Sequence, residues 1–151
     1  MFNKNTQKKN KATRIDTLIG QYTHIKGDVS FSGGLRIDGS VAGNINATGD
    51  NKSVLTLSES SVVDGEIRVP NLLVNGTITG TVYCSQHIEL AANAKINGNV
   101  YYRLLEMVTG CEVNGKLIHI AEDDDSIMSV EHDVIESDDD TLQLEKKDNL
   151  D

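Results

Sequence analysis

The chain has little of what usually builds a large globular core, a redox site or a membrane span. Its 151 residues include no tryptophan, one proline (Pro70), two cysteines and 4% aromatic residues. No apolar stretch approaches the roughly 18 residues of a transmembrane helix, and the first residues lack the apolar segment of a secretory signal. Cys84 and Cys111 lie far apart where small or inward residues are expected, so we interpret both as buried thiols.

Motifs of catalysis and of metal binding are also missing. The four histidines are widely separated, at positions 24, 87, 119 and 132, whereas a zinc site needs several ligands placed close together. The sequence shows no P-loop, no dinucleotide-binding motif and no activated nucleophile. We therefore predict a protein that is not an enzyme and that needs neither a metal nor a cofactor.

What the sequence does contain is a repeat marked by glycine. Six related segments share spaced aliphatic residues, then a glycine and a further aliphatic residue. They are TLIGQYTHIKGDV (17–29), LRIDGSVAGNI (35–45), VLTLSESSVVDGEI (54–67), LLVNGTITGTV (72–82), HIELAANAKINGNV (87–100) and LLEMVTGCEVNGKL (104–117). Their final glycines recur about every 18 residues, a period that indicates stacked coils.

The alternation within each copy predicts the fold. Aliphatic residues at positions i and i+2 are typical of a strand with one buried face, and each copy supplies three such pairs. Glycine, often preceded by Asn or Asp, suits the turns between these strands. The sequence thus predicts an all-β, triangular solenoid of about six coils. Asn-Gly and Asp-Gly are hairpin signals as well, so an antiparallel meander is an alternative.

Charge divides the chain into three regions. Residues 1–16 contain five basic residues and one acidic residue, and residues 17–120 contain seven basic and nine acidic residues. Residues 121–151 contain thirteen acidic residues and two lysines, with runs such as EDDD. We predict a flexible basic arm over 1–16, the repeat domain over 17–120 and a disordered acidic tail over 121–151.

The two ends of the predicted solenoid have no evident cap. An uncapped end presents unpaired backbone groups and an open apolar layer, which invite another copy to continue the sheet. We therefore predict a polymer interface formed by the apolar residues of both end coils. These residues are Leu18, Ile19, Ile25, Val29 and Phe31 at the N-terminal end, and Leu105, Met107, Val113, Leu117 and Ile120 at the C-terminal end. His119 departs from this apolar pattern.

The six copies, the opening TLIG (17–20), the phrase LRIDGSVAGNI and the charged flanks resemble the bactofilins, bacterial cytoskeletal proteins. The resemblance covers about residues 17–120. It implies a right-handed parallel β-helix that assembles end to end, like end to like end, into non-polar filaments without nucleotide. It also implies a cytoplasmic scaffold at the inner face of the membrane that localises cell-wall or envelope enzymes and influences cell shape.

The N-terminal arm resembles the short membrane-targeting peptide of many bactofilins. The candidate membrane-binding residues are Met1, Phe2, Lys4, Lys8, Lys9 and Lys11. The two apolar side chains can enter the interface, and each lysine near an anionic lipid surface contributes about 1 kcal/mol. A solvated arm without a ligand is the alternative, and we expect no nucleic-acid partner because the arm lacks interleaved aromatic residues.

A trimeric, left-handed β-helix enzyme of the hexapeptide acyltransferase type is the alternative function. Three hexapeptides make a coil of about 18 residues, and apolar residues spaced by six occur at Ile19, Ile25, Phe31 and Ile37. The short copies at 35–45 and 72–82 break this spacing. Elsewhere, Tyr83, Tyr101 and Tyr102 suggest an aromatic patch suited to core packing or a lateral contact.

Overall fold

The computed structural model describes residues 14–121 as an all-β structure. The expectations for the basic arm before residue 14 and for the acidic tail after residue 121 lie outside the described residues. Over residues 14–121, no helix is long and apolar enough to cross a membrane.

Fifteen strands follow one another along the described chain. They are β1 (Thr17–Ile19), β2 (His24–Lys26), β3 (Val29–Phe31), β4 (Gly34–Ile37), β5 (Ser40–Ala42), β6 (Ile45–Ala47), β7 (Val54–Leu57), β8 (Val62–Asp64), β9 (Ile67–Val74), β10 (Thr77–Thr79), β11 (Val82–Leu90), β12 (Lys95–Asn97), β13 (Val100–Met107), β14 (Glu112–Asn114) and β15 (Leu117–His119).

The strands stack as a parallel solenoid of six coils, as predicted. Each coil contributes three faces, which we call first, second and third in chain order; in the first coil they are β1, β2 and β3. Equivalent faces of successive coils pair in parallel, as β1 with β4, β2 with β5 and β3 with β6. The second faces form one six-stranded sheet in the order β14-β12-β10-β8-β5-β2. First and third faces belong to a nine-stranded sheet. All strand pairings described in this range are parallel, so the alternative of an antiparallel meander is wrong.

The glycine repeat marks the corner between the second and third faces. This corner has two residues in every coil, and the first is always the repeating glycine. The corners stack so closely that a Cβ on Gly80, whose φ is 143°, would meet the carbonyl oxygen of Gly65 in the coil below. Glycine is therefore required by the approach of backbone to backbone as well as by the turn.

The irregular repeat length arises at the other two corners. Between the first and second faces the short copies use two residues, as at Asp38–Gly39, whereas the longer copies use four. The four-residue corners close with a backbone hydrogen bond, such as that from Ser61 N–H to the Ser58 carbonyl at 3.0 Å. The corner before β7 is longer again and spans residues 48–53.

The third corner shows a difference from the expected pattern of three separate strands. In β9, β11 and β13 the chain passes from the third face of one coil to the first face of the next within one strand. Pro70 lies inside β9, and β11 has a register shift between Cys84 and His87. An irregularity of this kind bends a strand without breaking it, so no glycine is needed at these corners.

The core is a narrow column of aliphatic layers. Ile37, Leu57 and Ile78 are fully buried, each contributing about 1.5–3 kcal/mol through burial. Cys84 is also fully buried, and its thiol donates to the carbonyl oxygens of Pro70 and His87 at 3.2 and 3.1 Å. Burial raises the pKa of the Cys84 thiol to about 12, which keeps it protonated. Cys111 is half-buried rather than enclosed.

Candidate functional site: the two open ends of the solenoid

Both ends of the described solenoid carry free strand edges. The first-coil strands β1, β2 and β3 pair on one side only, with β4, β5 and β6. In the last coil, β14 pairs only with β12, and β15 pairs only with β13. Within residues 14–121 no further strand pairs with the other edge of these strands. A row of unpaired N–H and C=O groups is a template for a further strand.

Exposed apolar side chains concentrate at the same two ends. Eight large hydrophobic residues of the described chain are well exposed, and only Val62 lies in an interior coil. The first coil and the segment entering it hold Ile15 (47% exposed), Leu18 (57%) and Tyr22 (87%), whereas the last coil holds Leu104 (55%), Met107 (48%), Val108 (44%) and Leu117 (40%). Well-exposed large apolar side chains are therefore nearly confined to the two ends of the described solenoid.

The structure brings four of the five predicted N-terminal residues together in the inner layer of the first coil. Ile25, Val29 and Phe31 are half-buried and pack against the core, and Ile19 is 9% exposed. Leu18 differs, because its partner in the next coil is Arg36, which lies on the outer side of the first face. Its side chain therefore belongs to the rim of this end and not to the inner layer.

The C-terminal end shows the same arrangement. Leu105 and Val113 are half-buried against the core, and Met107 and Leu117 are exposed in register with the buried residues Leu90 and Val100. Ile120 is only 3% exposed, and its N–H donates to the carbonyl of Tyr102 at 2.8 Å. Ile120 therefore adds little open apolar surface to this end.

His119 is the polar member of the C-terminal layer. It lies in register with Tyr102, and the two rings meet edge to face with centroids 5.5 Å apart. The side chain of His119 is otherwise exposed at the open end. A contact that covers this end must therefore desolvate an imidazole whose nitrogens need hydrogen-bond partners.

The prediction from alternation did not include four exposed apolar residues at the ends. Ile15 precedes the first copy, and Tyr22 and Val108 lie in corners between first and second faces. Leu104 begins the first face of the last coil, in register with His87. Corner residues do not alternate between inside and outside, so periodicity gives no sign of their exposure. A search for large apolar residues at corners of the end copies would have found Tyr22 and Val108. Alternation with the inward Leu105 would have placed Leu104 on the outer side.

Asp16 closes the third corner at the N-terminal end. One carboxylate oxygen accepts the Gly34 N–H at 2.8 Å, and the other accepts from Arg14 Nε at 3.1 Å. The hydrogen bond from Gly34, with help from Arg14, holds the pKa of Asp16 below its ordinary value. The carboxylate therefore stays charged at neutral pH beside the open edge of β1.

No metal centre accompanies these ends in the part of the chain that the structure describes. Among residues 14–121, no group of three or more His, Cys, Asp or Glu side chains is placed to hold an ion. His24 contacts Ser40 at 2.7 Å, and His87 lies 3.3 Å from a carboxylate oxygen of Glu106.

Comparison with known proteins gives concordant matches. The sequence model of the bactofilin family, described as polymer-forming cytoskeletal, matches residues 17–118. The chain is 28% identical over 102 residues to bactofilin BacO of Myxococcus xanthus (strain DK1622), covering 68% of this chain and 78% of that protein.

A solved structure is also similar. It is the cryo-EM reconstruction of Thermus thermophilus bactofilin double helical filaments, which matches with a TM-score of 0.60 and 25% sequence identity. The match covers 70% of this chain and 100% of that one. The similarity thus extends over the whole of the relative's chain.

Proposed function

Because this chain belongs to the bactofilin family of polymer-forming cytoskeletal proteins, we propose that it assembles end to end into filaments without nucleotide and serves as a scaffold. The observation that carries the proposal is the concentration of exposed apolar side chains at the two open ends. Covering a half-exposed leucine or methionine contributes about 1 kcal/mol. Several such residues together, with the backbone edges, are needed to offset the entropy lost on association.

Like ends meet in the filament that we propose, so that N-terminal coils face each other and C-terminal coils face each other. Such a two-fold contact matches each surface with itself, and the filament then has no polarity. A double helical filament, as described for the T. thermophilus relative, holds two strands of subunits and needs a sidewise contact as well. We extend this pairing of filaments to the present chain.

The filament is attached to the inner face of the cytoplasmic membrane through the basic arm. Met1 and Phe2 would enter the lipid interface while Lys4, Lys8, Lys9 and Lys11 attract anionic headgroups. One arm binds weakly, since stable anchoring generally takes more than one signal. A filament presents many arms at once, and multivalency turns weak binding into firm attachment.

The clients of the scaffold are cell-wall or envelope enzymes, which the filament localises so as to influence cell shape. The acidic tail over 121–151 would serve either as a segment that folds on a client or as a solubilising tail. The alternative of a hexapeptide-type enzyme predicts discrete trimers instead of filaments.

The end contact is tested by Leu117→Arg. Leu117 is 40% exposed on the C-terminal layer, so the substitution places a charge in the contact without removing a buried core side chain. We expect short soluble species, because an unpaired charge buried in a contact costs several kcal/mol. Thr79→Arg on the exposed side of an interior coil is the matched control, and we expect it to form filaments.

Negative-stain electron microscopy and sedimentation report assembly in both variants, and circular dichroism reports whether the β-structure is intact. Leu105→Arg is a second variant at the same end, and its half-buried position makes the dichroism check essential. Filaments of normal length in both end variants would exclude this end as a polymer contact.

The membrane contact is tested by deleting residues 2–11. We expect the deleted protein to form filaments that no longer sediment with anionic liposomes, because the apolar anchor and four lysines are lost. Neutral liposomes are the control for the electrostatic contribution. Equal sedimentation of the deleted and intact proteins with anionic liposomes would rule the arm out and leave the assembly proposal untouched.

A further inference from the structure

The outer side of the third face carries a row of stacked side chains. Strand register places Arg68, Tyr83 and Tyr101 at equivalent positions in successive coils. The two tyrosine rings are nearly parallel, with centroids 4.7 Å apart and an interplanar angle of 13°. Arg68 Cζ lies 4.0 Å from the centroid of Tyr83. Ile118 continues the row in the last coil, and we call these four residues the aromatic row.

The aromatic row is not needed to fill the core. Tyr102, which the sequence groups with Tyr83 and Tyr101, packs against the core and meets His119. Tyr83 and Tyr101 are instead half-buried by their neighbours on the outside. This burial raises the pKa of both phenols, so both hydroxyls are neutral at physiological pH. The row is therefore a preformed strip on the surface, and its two stacked tyrosines are uncharged.

Charge distinguishes this row from the outer side of the first face. Arg68 is paired with Glu66 at 3.2 Å, so the strip carries little net charge. On the outer side of the first face, Glu89 and Glu106 are neighbours in register in the last two coils. A sidewise contact between copies of a protein with a formal net charge of −9 meets less repulsion at the aromatic row than at these carboxylates.

We propose that the aromatic row is the surface through which two filaments of this chain pair side by side. The inference rests on the proposed end-to-end assembly and names the contact that pairing requires. Tyrosine and arginine are enriched where protein contacts are strongest, and the stacked rings lose little side-chain freedom on binding. The row recurs in every copy along a filament, so a weak contact is multiplied by the number of copies.

The test compares two double variants of the full chain. Tyr83→Glu with Tyr101→Glu places two carboxylates in the aromatic row. Thr79→Glu with Asn97→Glu places two carboxylates in the same coils but on the second face, where these residues are in register. Electron microscopy gives the fraction of filaments that are paired, and sedimentation gives the total polymer. We expect about a tenfold fall in the paired fraction for the tyrosine variant alone, with unchanged total polymer.

Every other outcome would contradict either the pairing assignment or the proposed function, as follows. Pairing that persists in the tyrosine variant, or that falls equally in both variants, would overturn the assignment. Loss of all filaments in a folded tyrosine variant would also overturn it, because the row would then belong to the end contact. If circular dichroism shows that the glutamate variant does not fold, Tyr83→Ser with Tyr101→Ser replaces it under the same criteria. Wild-type filaments that are always single would contradict this inference only, whereas absent filaments would contradict the proposed function.

Discussion

At the scale of single residues, position along the solenoid decides what an apolar side chain does. Val100 is fully buried, whereas Leu117, its partner in the last coil, is 40% exposed. The same type of side chain at the same place in the repeat thus stabilises the fold in the interior and remains available for contact at the end. The difference arises only because no further coil follows Leu117 within the described residues.

His119 gives a prediction at this scale. Replacing it by phenylalanine should strengthen the C-terminal contact, because the imidazole must lose water there without an assured hydrogen-bond partner, at a cost of about 1–3 kcal/mol. We expect polymer to sediment at a protein concentration about tenfold lower than for the wild type. Thr79→Phe, on the exposed side of an interior coil, is the control. An unchanged or higher threshold for His119→Phe would exclude this role.

The inward or outward position of a side chain could be predicted from the sequence within the strands but not at the corners. The inner-layer residues Ile25, Val29 and Val113 follow from the spacing by two. Leu18 could have been placed on the outside by aligning Ile19 with Ile37, which puts Leu18 opposite Arg36. The exposure of Tyr22 and Val108 depends on the path of their corners, and alternation says nothing about it.

At the scale of elements, the invariant two-residue corner holds the coils in register. Gly43, Gly65, Gly80, Gly98 and Gly115 each lie against the backbone of the coil before, so that a Cβ would meet a carbonyl oxygen. Gly27, at the open N-terminal end, has nothing within 4 Å of such an atom. The corner glycines are therefore equivalent in sequence but not in packing.

A pair of substitutions tests this difference. Gly80→Ala should destabilise the solenoid by about 3 kcal/mol or more, because backbone must move and a φ of 143° is strained for alanine. Gly27→Ala should lower the free energy of unfolding by only about 1 kcal/mol, because it introduces conformational strain without a backbone clash. Thermal unfolding by circular dichroism, at a concentration too low for assembly, should show the larger loss for Gly80→Ala. Equal losses would mean that the close approach of the corners does not matter.

The elements themselves were largely predictable. Three strands in each copy and a glycine corner follow from alternation and from the repeat, and the structure has both. The merging of third and first faces in β9, β11 and β13 was not predictable. It depends on the register shift between β9 and β11, which falls at Pro70 and after Cys84 and is a property of the packed coils, not of one segment.

At the scale of the whole molecule, the described solenoid has regular interior coils and two uncapped ends. Six coils at about 4.8 Å give a rod of about 29 Å, and its well-exposed large apolar side chains lie mainly at the ends. A monomeric solenoid usually closes such ends with polar caps. Over residues 14–121 neither end has one, and we propose that association of copies covers the exposed layers.

Electron microscopy of the purified full-length protein, without nucleotide, tests this account most directly. It predicts long filaments in which each copy advances the axis by about 29 Å, with a repeat of about 58 Å when like ends meet. The sample includes the basic arm and the acidic tail. A second sample with added nucleotide should show the same filaments. Monomers or closed trimers at high protein concentration, with the β-structure intact, would contradict the claim that the open ends carry the function.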